Sequence, residues 1–203
     1  MGLGEYGGIT VMIPGAIIIA IWLWMSASRS SSLWWLGTFG TACTVVAASK
    51  IAFKGWGVGA ESLNIAVISG HAMNTCMVVT TLCSLLARQV DYRFRWAGTA
   101  AGLVFAWWFA INCVAPNIHP LSEALAGVSV GSIAVCAFLI KIDGERIARF
   151  SGRALAFGFV LLVACASLPK YTAESVLGQV AITLSGAEEP FVHPYWRSKV
   201  AAD

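Results

Sequence analysis

The chain has 203 residues, of which 58% are hydrophobic and only 11% are charged, and its net charge is +3. Such a small polar fraction cannot cover a water-soluble surface, and it is typical of a protein whose solvent is a bilayer. The basic residues are scattered and form no run that follows a phosphate backbone, which excludes nucleic acid as a partner.

Six apolar stretches approach the roughly 20 residues that a helix needs to cross a hydrocarbon core about 30 Å thick. The sequence therefore predicts an all-α polytopic membrane protein, a six-transmembrane-helix bundle that forms one domain over residues 1–203. The predicted spans are residues 8–25, 33–49, 72–87, 96–114, 121–140 and 154–169.

Basic residues collect in the connections after the first, third and fifth predicted spans, among them Arg88, Arg95 and Arg149. Because lysine and arginine favour the cytoplasmic side, we expect these connections in the cytoplasm. Residues 50–71 and 115–120 are then expected to face the periplasm. The pattern predicts a multi-pass protein of a bacterial inner membrane.

The last part of the chain, residues 171–203, is less apolar and is expected to form an interfacial tail. Its apolar residues are spaced for a short amphipathic helix, namely Val176, Leu177, Val180, Ala181 and Leu184. This tail is expected to act either as a lid or as a plain surface extension.

The connection between the second and third predicted spans is too polar and glycine-rich for a lipid-exposed helix. Ser69, Gly70 and His71 open the third span, where the positive end of the helix dipole lies, and glycine lets backbone amides approach an anion. This segment is a candidate phosphate cradle. Lys50 and Lys54 are expected either to bind phosphate or to extend towards lipid head groups.

His119 and Glu123 lie four residues apart at the predicted start of the fifth span, where they share a helix face. A carboxylate on one imidazole nitrogen fixes the tautomer and raises the basicity of the other, which suits a nucleophilic or a metal-binding histidine. The span count places His71 and His119 at the same membrane face. The alternative is that both histidines merely cap helices at the interface.

Ser69-Gly70-His71 and His119-x3-Glu123-x3-Gly127 resemble motifs of the type-2 phosphatidic acid phosphatase superfamily. That family includes lipid phosphatases, undecaprenyl-pyrophosphate phosphatases and vanadium haloperoxidases, and the likeness covers residues 50–131. Its motifs are Lys-x6-Arg-Pro, Pro-Ser-Gly-His and Ser-Arg-x5-His-x3-Asp. This chain matches them at Lys50, Ser69, Gly70, His71 and His119, and Glu123 replaces the aspartate.

The resemblance implies a phosphatase that acts on a lipid phosphate or pyrophosphate, such as a polyprenyl pyrophosphate or a phosphatidate-like lipid, at the periplasmic face. It implies that His119 attacks phosphorus to form a phosphohistidine. Glu123 would orient that imidazole, and His71 would protonate the leaving oxygen. The implied chemistry requires no metal and no other cofactor.

The resemblance also implies that Lys50, Ser69 and the Gly70 amide hold the phosphoryl oxygens. Two phosphate-binding arginines of the family are missing, because Gly57 and Cys113 stand in their positions. Removing one transition-state donor can reduce turnover about 100-fold or more. Lys54 would compensate for one of the two arginines.

Two other functions remain open at this stage. The missing arginines are compatible with a non-catalytic family member that binds a lipid phosphate. His71 and His119 are also compatible with a histidine-dependent transporter or redox protein. The sequence leaves open the lipid, the choice between hydrolysis and phosphotransfer, and the oligomeric state.

Overall fold

The computed structural model describes residues 6–26, 28–145, 147–149, 151–167 and 173–194. Its α-helices are α1 (Ile9–Ser26), α2 (Arg29–Trp56), α3 (Gly70–Val90), α4 (Arg95–Phe109), α5 (Leu121–Lys141), α6 (Gly152–Ser167) and α7 (Glu174–Ser185). The predicted all-α class is confirmed, since the described residues hold no strand and only one isolated bridge, between Ala60 and Ile65.

Five described segments are long and apolar enough to cross a membrane: α1, α2, α3, α5, and Tyr92–Val114, which joins α4 to a π-helical turn at Ala110–Val114. The apolar part of α6, Leu155–Ser167, is shorter. The membrane-type helices are therefore confirmed, whereas the count of six spans is not. Residues 168 and 169 of the sixth predicted span, and residues 171, 172 and 195–203 of the predicted tail, lie outside the described residues.

Helix α2 is longer than the sequence predicted. It has 28 residues, which at 1.5 Å per residue is about 42 Å, and this exceeds a hydrocarbon core of about 30 Å. The predicted end at residue 49 is wrong, because no residue interrupts the helix before Gly57 adopts the left-handed conformation, with φ 68°. Lys50 and Lys54 therefore stand one turn apart on a rigid helix instead of lying in a loop.

Helices α3 and α4 pack so closely that glycines of α4 lie directly against the backbone of α3. A methyl group built on Gly98 would lie 2.5 Å from the carbonyl oxygen of Cys83, and one on Gly102 would lie 2.5 Å from the Cα atom of Thr80. The four-residue spacing of small residues is the pattern that lets helix backbones approach in membranes. No larger side chain fits at either glycine without moving α3.

The other side of α3 meets α5 through a second glycine pair. A methyl group on Gly127 would lie 2.3 Å from the carbonyl oxygen of Ser69, and one on Gly131 would lie 2.8 Å from that of Met73. The first turn of α3, which carries His71, is therefore fixed directly against the second and third turns of α5. Glu123 lies in the first turn of α5, one turn before Gly127.

Helix α7 confirms that the tail sequence forms a helix, but its buried residues are small, and only one of them, Ala181, belongs to the predicted apolar face. Gly178 and Ala181 are buried, whereas Val176 and Leu184 are exposed. A methyl group on Gly55 would lie 3.2 Å from the carbonyl oxygen of Ala181, so α7 lies close against the end of α2. Val180 is also exposed, whereas Leu177 is partly buried.

We expect Gly127→Ala to lower the free energy of unfolding by about 1–3 kcal/mol, because the added methyl group overlaps the Ser69 carbonyl. The measurement is the thermal midpoint of the detergent-solubilised protein. Gly37→Ala is the matched control, because nothing lies within 4 Å of a methyl group there. Equal midpoints for the two variants would contradict the packing described here.

Candidate active site

The predicted site residues meet at one end of the bundle, where α2 ends and α3 and α5 begin. A cavity of about 610 Å³ opens there. Six of the seven predicted site residues line it, namely Lys50, Lys54, Gly70, His71, His119 and Glu123. The side chain of Ser69 is fully buried and is not part of the cavity wall.

His119 and Glu123 form a hydrogen-bonded pair. His119 lies just before α5, whose first residue is Leu121, and its backbone N–H donates to the carbonyl of Val114 at 3.3 Å. Its Nδ1 lies 3.0 Å from Oε2 of Glu123. With the Nδ1 proton donated to the carboxylate, Nε2 keeps a lone pair that is available for attack or binding.

The Glu123 carboxylate is buried, and a backbone amide donates a second hydrogen bond to it. Its Oε1 accepts the backbone N–H of Ala66 at 3.3 Å, and the residue is 2% exposed. Its backbone carbonyl accepts the N–H of Ser69 at 3.2 Å. One residue of α5 therefore orients His119 and also anchors the start of α3.

Ser69 and Ser49 together shape the first turn of α3. The Ser69 hydroxyl caps the helix by accepting the N–H of Ala72 at 3.4 Å, and the Ser49 hydroxyl accepts the N–H of Ile68 at 3.0 Å. This geometry places His71 in the first turn, with its ring centroid 6.1 Å from that of His119. Both imidazoles therefore reach the same part of the cavity.

The two lysines share a partner that sequence reasoning missed. The Glu174 carboxylate at the start of α7 contacts Nζ of Lys50 through Oε1, and it contacts Nζ of Lys54 through Oε2 at 2.9 Å. The Glu174 backbone carbonyl also lies 3.5 Å from Nζ of Lys54. An acid in an amphipathic helix carries no signal for a partner more than 100 residues earlier, so only the fold reveals this contact.

The lysines keep Glu174 ionised. Burial by itself would raise the pKa of this carboxyl, but hydrogen bonds and charge attraction from Lys50 and Lys54 outweigh it and lower the pKa from 4.5 to about 2. At neutral pH the two ammonium groups are therefore paired with a full negative charge.

The positions of the missing arginines have structural roles of their own. Gly57 ends α2 with φ 68°, a conformation that favours glycine, and the Phe191 ring lies beside it. Cys113 is buried in an apolar cluster with Phe109, Val114 and Ala124. Neither position lines the cavity, and no arginine is found among its lining residues in the described part of the chain.

Comparisons with known proteins agree with the motif analysis. The family profile of the PAP2 superfamily matches residues 54–148, which confirms the resemblance. An uncharacterized 22.5 kDa protein in the cps region of Klebsiella pneumoniae is 28% identical over 191 residues, which cover 92% of this chain and 91% of that protein. No solved structure gives a significant match.

The contact between Glu174 and the lysines predicts a specific pH dependence. Because the folded-state pKa lies below the ordinary 4.5, the contact stabilises the protein fully above pH 4.5 and loses its effect as the pH falls towards 2. We expect the difference in thermal midpoint between the wild type and Glu174→Gln to be constant above pH 4.5 and to shrink below it. A difference that grows on acidification would contradict this assignment.

Proposed function

We propose that this chain, whose residues 54–148 match the profile of the PAP2 superfamily, is a membrane phosphatase acting on a lipid phosphate or pyrophosphate. The observation that carries the proposal is the His119–Glu123 pair, which shares one cavity with His71 and two lysines. A histidine held by a buried carboxylate is a suitable nucleophile for phosphorus. An imidazole facing it is a suitable acid for the leaving group.

In the first step, Nε2 of His119 attacks phosphorus while the bond between phosphorus and the leaving oxygen breaks. His71, in its protonated form, gives a proton to that oxygen, and Glu123 stabilises the cationic imidazole that forms. The product is a phosphohistidine and a free alcohol or, from a pyrophosphate, the shortened phosphate. Positioning and charge stabilisation supply most of the rate in such transfers.

In the second step, a water molecule attacks the phosphohistidine, and the bond between phosphorus and nitrogen breaks. The now neutral His71 takes a proton from this water, which restores its acid form, and inorganic phosphate leaves. The Gly70 amide at the N terminus of α3 and the two lysine ammonium groups offset the charge on the phosphoryl oxygens. This scheme uses histidine as the nucleophile and needs no metal ion.

A bound phosphate would take the place that Glu174 occupies. A phosphate monoester carries about −1.5 to −2 charge at neutral pH, against −1 for a carboxylate, so two ammonium groups favour the phosphate. We propose that Glu174 is an internal competitor, which leaves the lysines when substrate binds. The first turn of α7 would then have to move away from α2.

The proposed orientation has the cavity at the periplasmic face. The opposite end of the bundle carries Arg88 and Arg95, which both pair with Asp143. Basic residues at that end favour its placement in the cytoplasm. Apolar cavity residues below the lysines, including Ile13 and Val46, would receive the lipid chain from the bilayer.

A second candidate function is lipid-phosphate binding without turnover. The observation that favours it is the low net charge of the site, where Glu174 and Glu123 oppose the two lysines and no described arginine contributes. Binding of phosphate lipids by a purified protein that releases no phosphate would establish this alternative.

We expect His119→Ala to abolish phosphate release, because it removes the nucleophile. Glu123→Gln, which keeps the shape but loses the charge, should slow it by about 100-fold or more. The measurement is inorganic phosphate released from phosphatidate and from undecaprenyl pyrophosphate by the purified protein in excess EDTA. Full turnover by a folded His119→Ala variant would exclude the phosphohistidine scheme, and loss of wild-type turnover in EDTA would exclude metal independence.

Glu174→Gln should bind inorganic phosphate about tenfold more tightly, a difference of about 1.4 kcal/mol, because the competing charge is removed. Calorimetric titration of the solubilised protein with phosphate tests this. Glu189→Gln is the matched control, since Glu189 is an exposed carboxylate in the same C-terminal part of the chain. Weaker phosphate binding by Glu174→Gln would instead mean that Glu174 positions the lysines for the ligand.

A further inference from the structure

Asn74 is a buried polar residue in the cavity wall that the proposed chemistry does not use. It lies on α3 one turn after His71, which places it about 4.5 Å deeper along the helix. The residue is 4% exposed and lines the cavity. The feature is therefore a buried amide that faces the space where a ligand would lie.

The hydrogen bonding of Asn74 is incomplete. Its Oδ1 accepts a weak bond from the Cys43 thiol at 3.9 Å. Within the described part of the chain, its amide nitrogen, which carries two N–H donors, has no acceptor. The fully buried side-chain atoms without a partner in the described part of the chain lie on other residues, so the Asn74 nitrogen is accessible from the cavity. A donor left unpaired in a cavity wall is expected to serve a ligand.

The surroundings of Asn74 indicate which kind of oxygen it would bind. Lys50, Lys54 and the two histidines lie where α2 ends and where α3 and α5 begin. Asn74 lies one turn further along α3, where Cys43 contacts it, and Val46 and Met73 also line the cavity. An ionised phosphoryl oxygen would lose much of its solvation in this apolar part. An uncharged ester oxygen loses less, and a neutral amide is a suitable donor to it.

We propose that Asn74 is a substrate contact, whose amide donates a hydrogen bond to an acyl ester oxygen of the leaving group, beyond the oxygen that joins that group to phosphorus. This inference rests on the proposed function and narrows its substrate class. A phosphatidate-like glycerolipid carries acyl ester oxygens close to its phosphate, whereas a polyprenyl phosphate offers hydrocarbon beyond its phosphate ester and a polyprenyl pyrophosphate offers a second charged phosphate. Asn74 therefore favours the glycerolipid.

The test compares three probes that share a phosphate group: dioctanoyl phosphatidic acid, octyl phosphate and inorganic phosphate. Their binding to the wild type, Asn74→Leu and Asn74→Ala is measured by calorimetric titration of the solubilised protein. Asn112→Leu is the matched control, because Asn112 is exposed and lies outside the cavity wall. Asn74→Ala is included because it cannot overfill the cavity, and thermal midpoints verify folding.

We expect both Asn74 variants to bind dioctanoyl phosphatidic acid about tenfold more weakly and the other two probes unchanged. Equal weakening of all three probes would place Asn74 at the phosphoryl group and overturn the proposal. Unchanged binding of all three would overturn it too. A wild-type protein that binds none of the probes would refute the proposed function itself, a result distinct from either outcome at Asn74.

Discussion

The backbone contact between the start of α3 and the first two turns of α5 is the constraint on which the candidate site depends. Gly127 brings α5 against the carbonyl of Ser69, and the Ser69 N–H donates to the carbonyl of Glu123. This contact holds the turn carrying His71 beside the pair formed by His119 and Glu123. A larger residue at position 127 would separate the two helices, so a glycine that does not line the cavity determines whether the imidazoles share it.

Charge balance is the second constraint on the site. Lys50 and Lys54 are attached to a rigid helix end, where they would repel one another without an anion between them. Glu174 supplies that anion from the far end of the chain, and the resulting fall in its pKa to about 2 shows how strongly the lysines favour negative charge. The two closely spaced positive charges that make the lysine pair a suitable phosphate site are also the reason that it binds the Glu174 carboxylate.

The cavity combines a charged upper part with an apolar lower part, and both parts follow from the helices that form it. Helix α2 carries Lys50 and Lys54 in its last two turns, and Cys43 and Val46 line the cavity from its preceding turns. Helix α3 likewise contributes His71 to the charged part of the cavity and Met73 to its apolar part. An amphiphile with a phosphate head matches this arrangement better than a fully water-soluble phosphate does. Asn74 is the polar exception in the apolar part.

The sequence by itself determined the helical membrane class, most of the span positions and the pairing of His119 with Glu123, because each depends on local hydrophobicity or on residues within one helical turn. It also indicated that His71 and His119 share a face, since the order of the spans decides which connections meet. It missed the true end of α2, because lysines and an aromatic residue do not stop a helix as a left-handed glycine does. Only the tertiary structure decided that Ser69 serves as a buried helix cap, that Cys113 packs in an apolar cluster, and that Glu174 and Asn74 face the cavity. Those features depend on contacts between helices that are distant in the chain, and no local pattern encodes them.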